Sequence, residues 1–289
     1  MLVPRDDLAL DEMVELAREA ASAKDRTLLG SPFYQRVVVL EQQQGSRARA
    51  DLLREILSQL AKDQRGRIDD LTYPQTVRDL IHAAFERIDD QIGNPSEDYF
   101  DLSRQATRCD FRMVCFSRIP AGVEHFELSG IPRKLSVSGG VSQGVRFLRM
   151  LRRTGGRRPL YEMHVAHHIS DMAFFRAYNP EARAATYRNV AQCLEMNPQI
   201  RGLMAGSWWF DPQARRVSPR LPDFGELMLD HGAFLFRYER DSSALKNALA
   251  NSPARQRLYD KGQYAPTTYI VIWPRDALIA WARQRGTRP

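Results

Sequence analysis

The sequence predicts an α/β or α+β protein in which a helical N-terminal region precedes a mixed β-sheet. Apolar residues recur at helical spacing through roughly the first hundred positions, and a two-residue alternation follows. Further along, helical and strand patterns interleave, which is typical of a sheet covered by helices. The composition agrees, because 43% hydrophobic and 27% charged residues across 289 positions exclude collagen, a coiled coil and global disorder.

The N-terminal region is predicted to form amphipathic helices. Pro74 suits the first turn of one of them, and apolar side chains follow it at helical spacing. That set comprises Val77, Leu80, Ile81, Ala84, Phe85, Ile88 and Ile92, and similar stripes contain Met13, Val14 and Ala17, and Leu52, Leu53, Ile56, Leu57 and Leu60. The turn-forming residues 93–96 end the pattern. We therefore expect a helical domain over residues 1–95 and a second domain over residues 96–289.

The second region alternates predicted strands with predicted helices. Strands over residues 111–115 and 123–128 flank a turn at Pro120, Ala121 and Gly122. The remaining strands are expected at residues 134–138, 160–166, 202–210, 233–238 and 269–273, and helices at residues 143–153, 180–196, 253–261 and 276–285. This order predicts a mixed sheet of about five to seven strands.

The cysteines and the N-terminus bear on the cellular compartment. Cys109, Cys115 and Cys193 are too few for a disulfide framework and lack paired CxxC spacing, so we expect reduced, buried thiols. The N-terminal residues include acidic side chains where a signal peptide needs an apolar core. No apolar run approaches the roughly 20 residues that span a bilayer. These features predict a cytoplasmic protein.

Positive charge is concentrated in one segment. Residues 129–161 contain no Asp or Glu but eight arginines and lysines, one more than the formal net charge of +7 for the whole chain. A segment of this kind suits an anionic partner. The alternative is that these arginines occupy a solvated helix, since the chain has 37 arginines and only 5 lysines.

A histidine cluster is the most unusual stretch. Three of the six histidines, His164, His167 and His168, fall within five residues, and Asp171 follows them. An imidazole near a strand end can serve as a general base, and an imidazole pair with a carboxylate can bind a metal. A third alternative is that these histidines pack, cap or hydrogen-bond structurally.

A glycine-rich stretch opens the basic helix after a predicted strand. Its backbone amides could cradle a phosphate at the helix N-terminus, although a tight turn would use the same residues. The predicted cofactor-binding set is Gly139, Gly140, Ser142, Gln143 and Gly144, with Arg146, Arg149 and Arg153 at helical spacing beyond them. Because arginine binds phosphate oxygens in a bidentate way, we expect this set to hold the phosphates of CoA or a phospholipid headgroup.

An aromatic strand end and a proline-rich loop form another candidate region. Trp208 is chiefly core material. Ser207 lacks the Gly-x-Ser-x-Gly pattern of a hydrolase nucleophile, so we expect it to hydrogen-bond at the strand end. Asp211 begins the loop, and Arg220, flanked by prolines, is either an anion ligand or the ion-pair partner of an aspartate.

Two short stretches resemble acyltransferases. Residues from His167 to Asp171 resemble the HxxxD signature of the superfamily that includes chloramphenicol acetyltransferase. In that superfamily the histidine deprotonates the acceptor and the aspartate holds local structure. Met172 stands where the family usually has glycine, and residues 223–225 echo a second motif at a shorter distance than the family shows.

The second resemblance covers more residues. The strand from Tyr161 to His164, with the stretch GSWWFDPQ from Gly206 to Gln213, is similar to acyltransferase-like proteins with a GNAT-type C-terminal domain, over about 50 of 289 residues. It implies a GNAT-like mixed sheet whose central strands splay to admit the pantetheine arm of acyl-CoA. The R/Q-x-x-G-x-G/A pyrophosphate loop of that family does not occur in the sequence.

These resemblances and the basic segment imply an acyltransferase that moves an acyl group from CoA or a carrier-protein thioester to an amine or hydroxyl. His164 or His167 would remove the acceptor proton, backbone amides would hold the thioester carbonyl, and Tyr269 would protonate the leaving thiolate, as a tyrosine does in GNAT enzymes. The predicted substrate-binding residues are Ser207, Trp208, Asp211 and Arg220. The implied partners are a small-molecule or lipid acceptor and an acyl carrier protein, with no metal required.

Two other function classes stay open. One is a metal-dependent enzyme in which His164, His168 and Asp171 hold iron or zinc and His125 or His231 completes the ligand set. The other is a non-catalytic module whose arginine segment binds lipid or nucleic acid. The sequence carries no helix-turn-helix, RRM or zinc-finger motif, which disfavours nucleic acid, whereas peripheral membrane contact fits the basic segment.

Overall fold

The computed structural model describes residues 10–23, 28–136, 138–165, 178–218, 225–239, 242–250 and 252–286. In these ranges the helices are α1 (Leu10–Ser22), α2 (Pro32–Arg65), α3 (Gln75–Gly93), α4 (Gln105–Val114), α5 (Gly140–Thr154), α6 (Pro180–Met196), α7 (Pro212–Val217), α8 (Glu226–Asp230), α9 (Ser242–Leu249), α10 (Pro253–Asp260) and α11 (Arg275–Gly286). The strands are β1 (Ile119–Pro120), β2 (Glu124–Ser129), β3 (Leu160–Val165), β4 (Gly202–Ser207), β5 (Phe234–Arg237) and β6 (Tyr269–Pro274). Short 3-10 helices lie at Arg133–Ser136 and Trp208–Phe210.

The chain divides into two compact units. Unit 1 contains residues 1–127 and 165–189, and unit 2 contains residues 128–164 and 190–289. The predicted boundary at residue 95 falls inside unit 1. The domains 1–95 and 96–289 stay a prediction.

The strands of unit 2 form a mixed sheet in the order β3-β4-β6-β5. β3 pairs with β4 in parallel, whereas β6 is antiparallel to both β4 and β5. Helix α6 connects β3 to β4, as a parallel pair requires a long crossover. Helices together with a mixed sheet confirm the predicted α/β class.

The predicted apolar stripes form buried faces of the helices in unit 1. On α3, the stripe Val77, Ile81, Phe85 and Ile88 is completely buried. On α2, Leu53, Ile56, Leu57 and Leu60 are buried in the same way. Residues three and four apart lie on one face of a helix, which explains why this spacing identified both elements.

Each helix of the described ranges is too short or too polar to cross a bilayer.

The predicted strand at residues 111–115 is wrong, because the structure places this stretch in α4. Thr107, Asp110, Phe111 and Val114 are buried at helical spacing, and two of these four are polar. Asp110 accepts hydrogen bonds from Tyr99 Oη at 2.6 Å and from Arg87 Nη1 at 3.1 Å. These partners compensate the burial of the carboxylate, so a polar residue can occupy a core position of this helix.

Two further strand predictions differ from the structure in unit 2. The stretch predicted as a strand at residues 134–138 begins instead as a 3-10 helix, Arg133–Ser136, directly after Pro132. The main-chain N–H of Leu135 donates to Pro132 O at 3.2 Å and closes this turn. The strand predicted over residues 202–210 ends at Ser207, where a 3-10 turn begins.

Helix α5 covers one face of the sheet in unit 2. Its buried face includes Phe147 and Met150. They join a core cluster that also contains Ile131, Leu135, Leu160, Met204, Phe236, Ile270 and Ile272. The basic helix predicted from residue 143 is therefore amphipathic, and its apolar side is part of the core of unit 2.

The cysteines are unpaired, as predicted. Cys109 and Cys193 are buried and Cys115 is half-buried. Burial raises the pKa of the Cys109 thiol to about 11 and that of the Cys115 thiol to about 12. Both thiols are therefore protonated at neutral pH, which makes them poor nucleophiles.

Gly202 begins β4 under a steric constraint that we can test. Its φ is +153°, and a Cβ there would lie 2.4 Å from Trp273 O and 3.1 Å from Arg275 N. We expect Gly202→Ala to lower the free energy of unfolding by about 3 kcal/mol, because the clashing atoms belong to the paired backbone of β6 and to the first residue of α11. Urea denaturation measures the change.

The matched control for that variant is Gly66→Ala. Gly66 has helical φ and ψ, and a Cβ there meets nothing within 4 Å. This substitution should change stability by less than about 1 kcal/mol. Equal urea midpoints for the two alanine variants would contradict the constraint at Gly202.

Candidate functional site

The carboxyl ends of β3 and β4 bring several predicted site residues to one edge of the sheet in unit 2. Carboxyl ends of neighbouring parallel strands lie at the same edge, and this edge often holds ligands. His164 lies near the end of β3 and Ser207 ends β4. Ser207 pairs with Tyr269 of β6, and Tyr269 pairs with Arg237 of β5. We call His164, Ser207, Trp208, Asp211 and Tyr269 the strand-end cluster.

β4 pairs with one strand on each side, and the two pairings differ in length. Among the described residues, β3 and β4 pair over three positions, from Tyr161–Leu203 to Met163–Ala205. β4 and β6 pair over six positions, through Ser207–Tyr269. His164 and Gly206 follow the last of the three β3–β4 pairs, at the end of the strands where the cluster lies.

Side-chain alternation places His164 and Tyr269 on different faces of the sheet. His164 is four residues after Leu160, whose side chain joins the core under α5, so the imidazole lies on the α5 face. Tyr269 directly precedes Ile270, which joins the same core, so its phenol lies on the opposite face. His164 Nε2 is shielded from solvent. The predicted base, His164, and the predicted acid, Tyr269, therefore lie on opposite faces of the sheet at the strand end.

Ser207 and Asp211 anchor the chain that leaves β4. Ser207 Oγ accepts a hydrogen bond from Trp209 N at 3.1 Å, which is the strand-end role predicted for it. Asp211 Oδ1 accepts from Gln213 N at 2.9 Å and caps α7, which has Pro212 in its first turn. Asp211 Oδ2 accepts from Thr267 N at 3.2 Å. These bonds place the two side chains as supports of the cluster.

Two residues beside the cluster were missed by sequence reasoning. The guanidinium of Arg255 lies over the ring of Trp208, 4.9 Å from its centroid, and Nη1 donates to Ser218 Oγ at 3.1 Å. Tyr264 is 2% exposed, and its hydroxyl has no hydrogen-bond partner among the residues that the structure describes. Both residues come from later elements, so no motif near Trp208 indicates them.

Burial controls the protonation of the tyrosines at this end. Burial, with a smaller contribution from Asp211, raises the pKa of Tyr264 to about 12. The same two causes raise the pKa of Tyr269, and Arg237 opposes them. Both phenols are protonated at neutral pH and can act as hydrogen-bond or proton donors.

The predicted phosphate-binding turn lies at the same end of the sheet, beside β5. Gln143 Nε2 donates to Arg237 O at 2.8 Å, to Leu135 O at 2.9 Å and to Ser138 Oγ at 3.0 Å. Gln143 Oε1 accepts from Arg237 N at 3.0 Å. Both Nε2 and Oε1 of Gln143 are thus engaged in hydrogen bonds, and those to Arg237 hold α5 to β5. The first turn of α5, which contains Gly140 and Ser142, has no side-chain cap.

The predicted arginines spread along α5 away from this end. Arg146 Nη1 donates to Leu235 O at 3.0 Å. Arg149 is exposed, and Arg153 lines a cleft with Arg201, the residue before β4. Because α5 has 15 residues and rises about 1.5 Å per residue, Arg153 lies near the opposite end of the sheet from Ser207. The structure therefore does not bring Arg149 and Arg153 to the strand-end cluster.

The other predicted residues divide into two groups. His167, His168, Asp171 and Arg220 lie outside the described residues. His125 is a buried residue of β2 in unit 1, and His231 lies in unit 2, where its main-chain oxygen accepts from Trp273 Nε1 at 3.0 Å. Within the described ranges, no group of three His, Cys, Asp or Glu side chains has a metal-binding arrangement.

A second buried polar cluster lies in unit 1 and was not predicted. Glu124 accepts a hydrogen bond from Tyr178 Oη. Arg183 Nη2 donates to Tyr187 Oη at 3.0 Å, and its guanidinium lies 5.2 Å from the ring centroid of Tyr178. Burial raises the pKa of the Glu124 carboxyl, while the Tyr178 hydrogen bond and Arg183 act in the opposite direction. The residues belong to β2, α6 and the segment before α6, so no local pattern marks the cluster.

Comparison with known proteins supports the architecture. Neither protein-family models nor curated proteins match the chain. A solved structure of an acyltransferase in complex with decanoyl-CoA has a similar fold, with a TM-score of 0.53 and 13% sequence identity. The alignment covers 94% of this chain and 80% of that one. At this identity the likeness concerns the fold.

The buried carboxyl of Glu124 has a consequence for stability against pH. Because its folded pKa is raised above the ordinary value of 4.5, its favourable contribution is complete below that pH and is lost as pH rises toward the folded pKa. We expect Glu124→Gln, which carries no titratable group, to gain stability relative to the wild type between acidic and neutral pH. Urea denaturation at a series of pH values tests this.

The control is Glu86→Gln, at an exposed position of α3. Its stability difference from the wild type should stay constant over the same pH range. A constant difference for Glu124→Gln as well would show that the Glu124 carboxyl titrates normally.

Proposed function

We propose that the chain is an acyltransferase that moves an acyl group from a thioester donor, acyl-CoA or an acyl-carrier thioester, to an amine or hydroxyl. The observation that carries this proposal is the fold similarity over 94% of the chain to an acyltransferase bound to decanoyl-CoA. The strand-end cluster supports it, since it contains a histidine and a protonated tyrosine next to the last β3–β4 pair of the described residues. A small-molecule or lipid acceptor fits this chemistry.

The thioester would lie between the carboxyl ends of β3 and β4. Among the residues that the structure describes, Met163–Ala205 is the last pair between these strands. Gly206 adds room on the face that carries His164, because a Cβ built there meets Ile270 only at 3.6 Å. This arrangement supports the GNAT-like placement of a pantetheine arm between diverging strands.

The proposed step exchanges one bond to the acyl carbon for another. The acceptor nitrogen or oxygen attacks the thioester carbonyl carbon, and His164 takes the proton that the acceptor loses, with His167 as the alternative base. The carbon–sulfur bond then breaks, and Tyr269 gives its proton to the leaving sulfur. The products are the acylated acceptor and the free thiol. Because His164 and Tyr269 lie on different faces, the acceptor would enter on one side and the thiol leave on the other.

The phosphates of the donor would lie at the N-terminus of α5. Gly140 and Gly144 near the start of α5 leave space for backbone approach: a Cβ at Gly140 meets nothing within 4 Å, and one at Gly144 meets only Ser136 O at 3.8 Å. Helix N-termini attract phosphate through their N–H groups. Arg146 is the nearest of the proposed arginines, one turn further along.

Acyl transfer by the wild type and by two variants tests the proposed function. We expect decanoyl-CoA to raise the melting temperature and to acylate members of an amine and alcohol panel, with release of CoA thiol. His164→Gln and Tyr269→Phe should each lower the rate about a hundredfold or more, since each removes a proton-transfer group. Thiol release and mass spectrometry of the acceptors give the two readouts.

The control variant is His82→Gln, which changes a half-buried histidine of α3 outside the strand-end cluster. Its activity should equal that of the wild type, and all variants should keep the wild-type melting temperature. The proposal fails if no acyl-CoA or acyl-carrier thioester is consumed, or if both site variants keep full activity. Activity that is lost with a chelator and restored by a divalent metal would assign the histidines to the metal-dependent class instead.

A further inference from the structure

Helix α5 presents an apolar stripe to solvent on the side opposite its core face. Val141 is 88% exposed, Val145 47% and Leu148 63%. These residues are spaced four and three apart, so they share one face of the helix, and Arg152 continues that row. The core face, with Phe147 and Met150, lies on the other side. Three exposed aliphatic side chains within eight residues form a concentrated patch on a surface helix.

Arginines border this stripe and no acidic residue lies near it in sequence. Arg149 and Arg153 are exposed on one flank, and Arg152 lies in line with the aliphatic residues. The nearest acidic residues along the chain lie outside residues 129–161. An apolar row bordered by arginines is the pattern of a helix that lies in the interface of an anionic membrane.

A cleft of about 260 Å³ lies at the C-terminal end of α5 in the same unit. It is lined by Arg152, Arg153, Arg201 and Arg275, with Asp276 as its one carboxylate among the residues that the structure describes. Arg201 Nε donates to Arg158 O at 2.9 Å and its Nη1 donates to Thr154 O at 3.3 Å. Arg275 Nη1 donates to Leu194 O and, at 3.3 Å, to Asn197 O. Each guanidinium carries five N–H donors, so these bonds leave donors for a ligand.

Arg152 belongs both to the exposed stripe and to the cleft. A ligand that meets both features has an aliphatic body next to a phosphate group. A phospholipid in a bilayer combines the two, whereas the phosphates of a nucleic acid would leave Val141 and Leu148 in water. Charge complementarity and the aliphatic row thus favour a phospholipid bilayer as the occupant of this surface.

We propose that the outer face of α5 docks on an anionic lipid bilayer and that the arginine cleft at its C-terminal end takes a phosphate headgroup. Val141, Val145 and Leu148 enter the boundary between headgroups and acyl chains. Arg149, Arg152 and Arg153 meet phosphates around them. This contact lies on unit 2 alone and does not depend on the acyltransferase activity proposed above.

Vesicle flotation with the full chain tests the proposal. Vesicles of phosphatidylcholine mixed with phosphatidylglycerol should bind the wild type, and vesicles of phosphatidylcholine alone should bind it weakly. Val141→Ser with Leu148→Ser removes apolar area without changing charge and should weaken binding about tenfold or more. Arg149→Gln with Arg152→Gln should weaken it about thirtyfold, since each arginine contributes about 1 kcal/mol near an anionic surface.

The matched control carries Val39→Ser with Arg47→Gln. Both side chains are exposed on α2 of unit 1, so this control changes the same residue types in a different unit. It should bind vesicles like the wild type, and all variants should keep the wild-type melting temperature because the changed residues are exposed. The Arg149 and Arg152 variant should also lose most of the salt sensitivity of binding.

Three results would overturn the proposal. The first is equal binding of the wild type and both α5 variants to anionic vesicles. The second is no vesicle binding together with salt-sensitive binding to a nucleic-acid duplex. The third is a dimer in solution that the Val141 and Leu148 variant converts to a monomer, because a second copy would then cover the stripe.

Discussion

The pairing of β4 on both of its edges positions the strand-end cluster. With β3 parallel on one edge and β6 antiparallel on the other, a slip of one residue would turn every buried side chain of β4 to the opposite face. Gly202 defines the start of this register, because the backbone of β6 passes too close for any other residue. Ser207 defines its end, since its hydroxyl takes the N–H of Trp209 and turns the chain. Gly202 and Ser207 thereby fix the positions of Trp208 and Asp211, which follow β4 in the chain.

Periodicity predicted several elements whose buried residues are apolar. The α3 stripe and the β-branched strand β6 are examples, and both have the expected bounds within a few residues. The prediction was wrong at α4 because Asp110 and Arg112 are buried with partners that lie far away in sequence. Arg112 Nη2 donates to Glu127 Oε2 at 3.0 Å, and Arg87 pairs with Asp110. Such pairs make charged residues compatible with a core face, and no local pattern records them.

The candidate site shows the same limit of local reasoning. Ser207, Asp211 and Tyr269 follow or end strands, so their position near a sheet edge could be predicted. Arg255 and Tyr264 reach the cluster from elements encoded later, and only the tertiary fold shows their contact. The glycine-rich turn suggested that Gln143 binds phosphate. In the structure, the side-chain amide of Gln143 instead forms hydrogen bonds to the backbone of β5 and of the segment before α5.

The attachment of α5 to β5 also affects how copies of this chain behave in solution. β5 is the outermost of the described strands on its side of the sheet, and an outermost strand offers unpaired main-chain groups to a strand from another molecule. Gln143 occupies both N–H and C=O of Arg237, and Arg146 occupies the C=O of Leu235. Side chains of a neighbouring helix thus take the positions that an incoming strand would need. The border of the sheet is shielded from β-type self-association without a proline or a bulge in the strand itself.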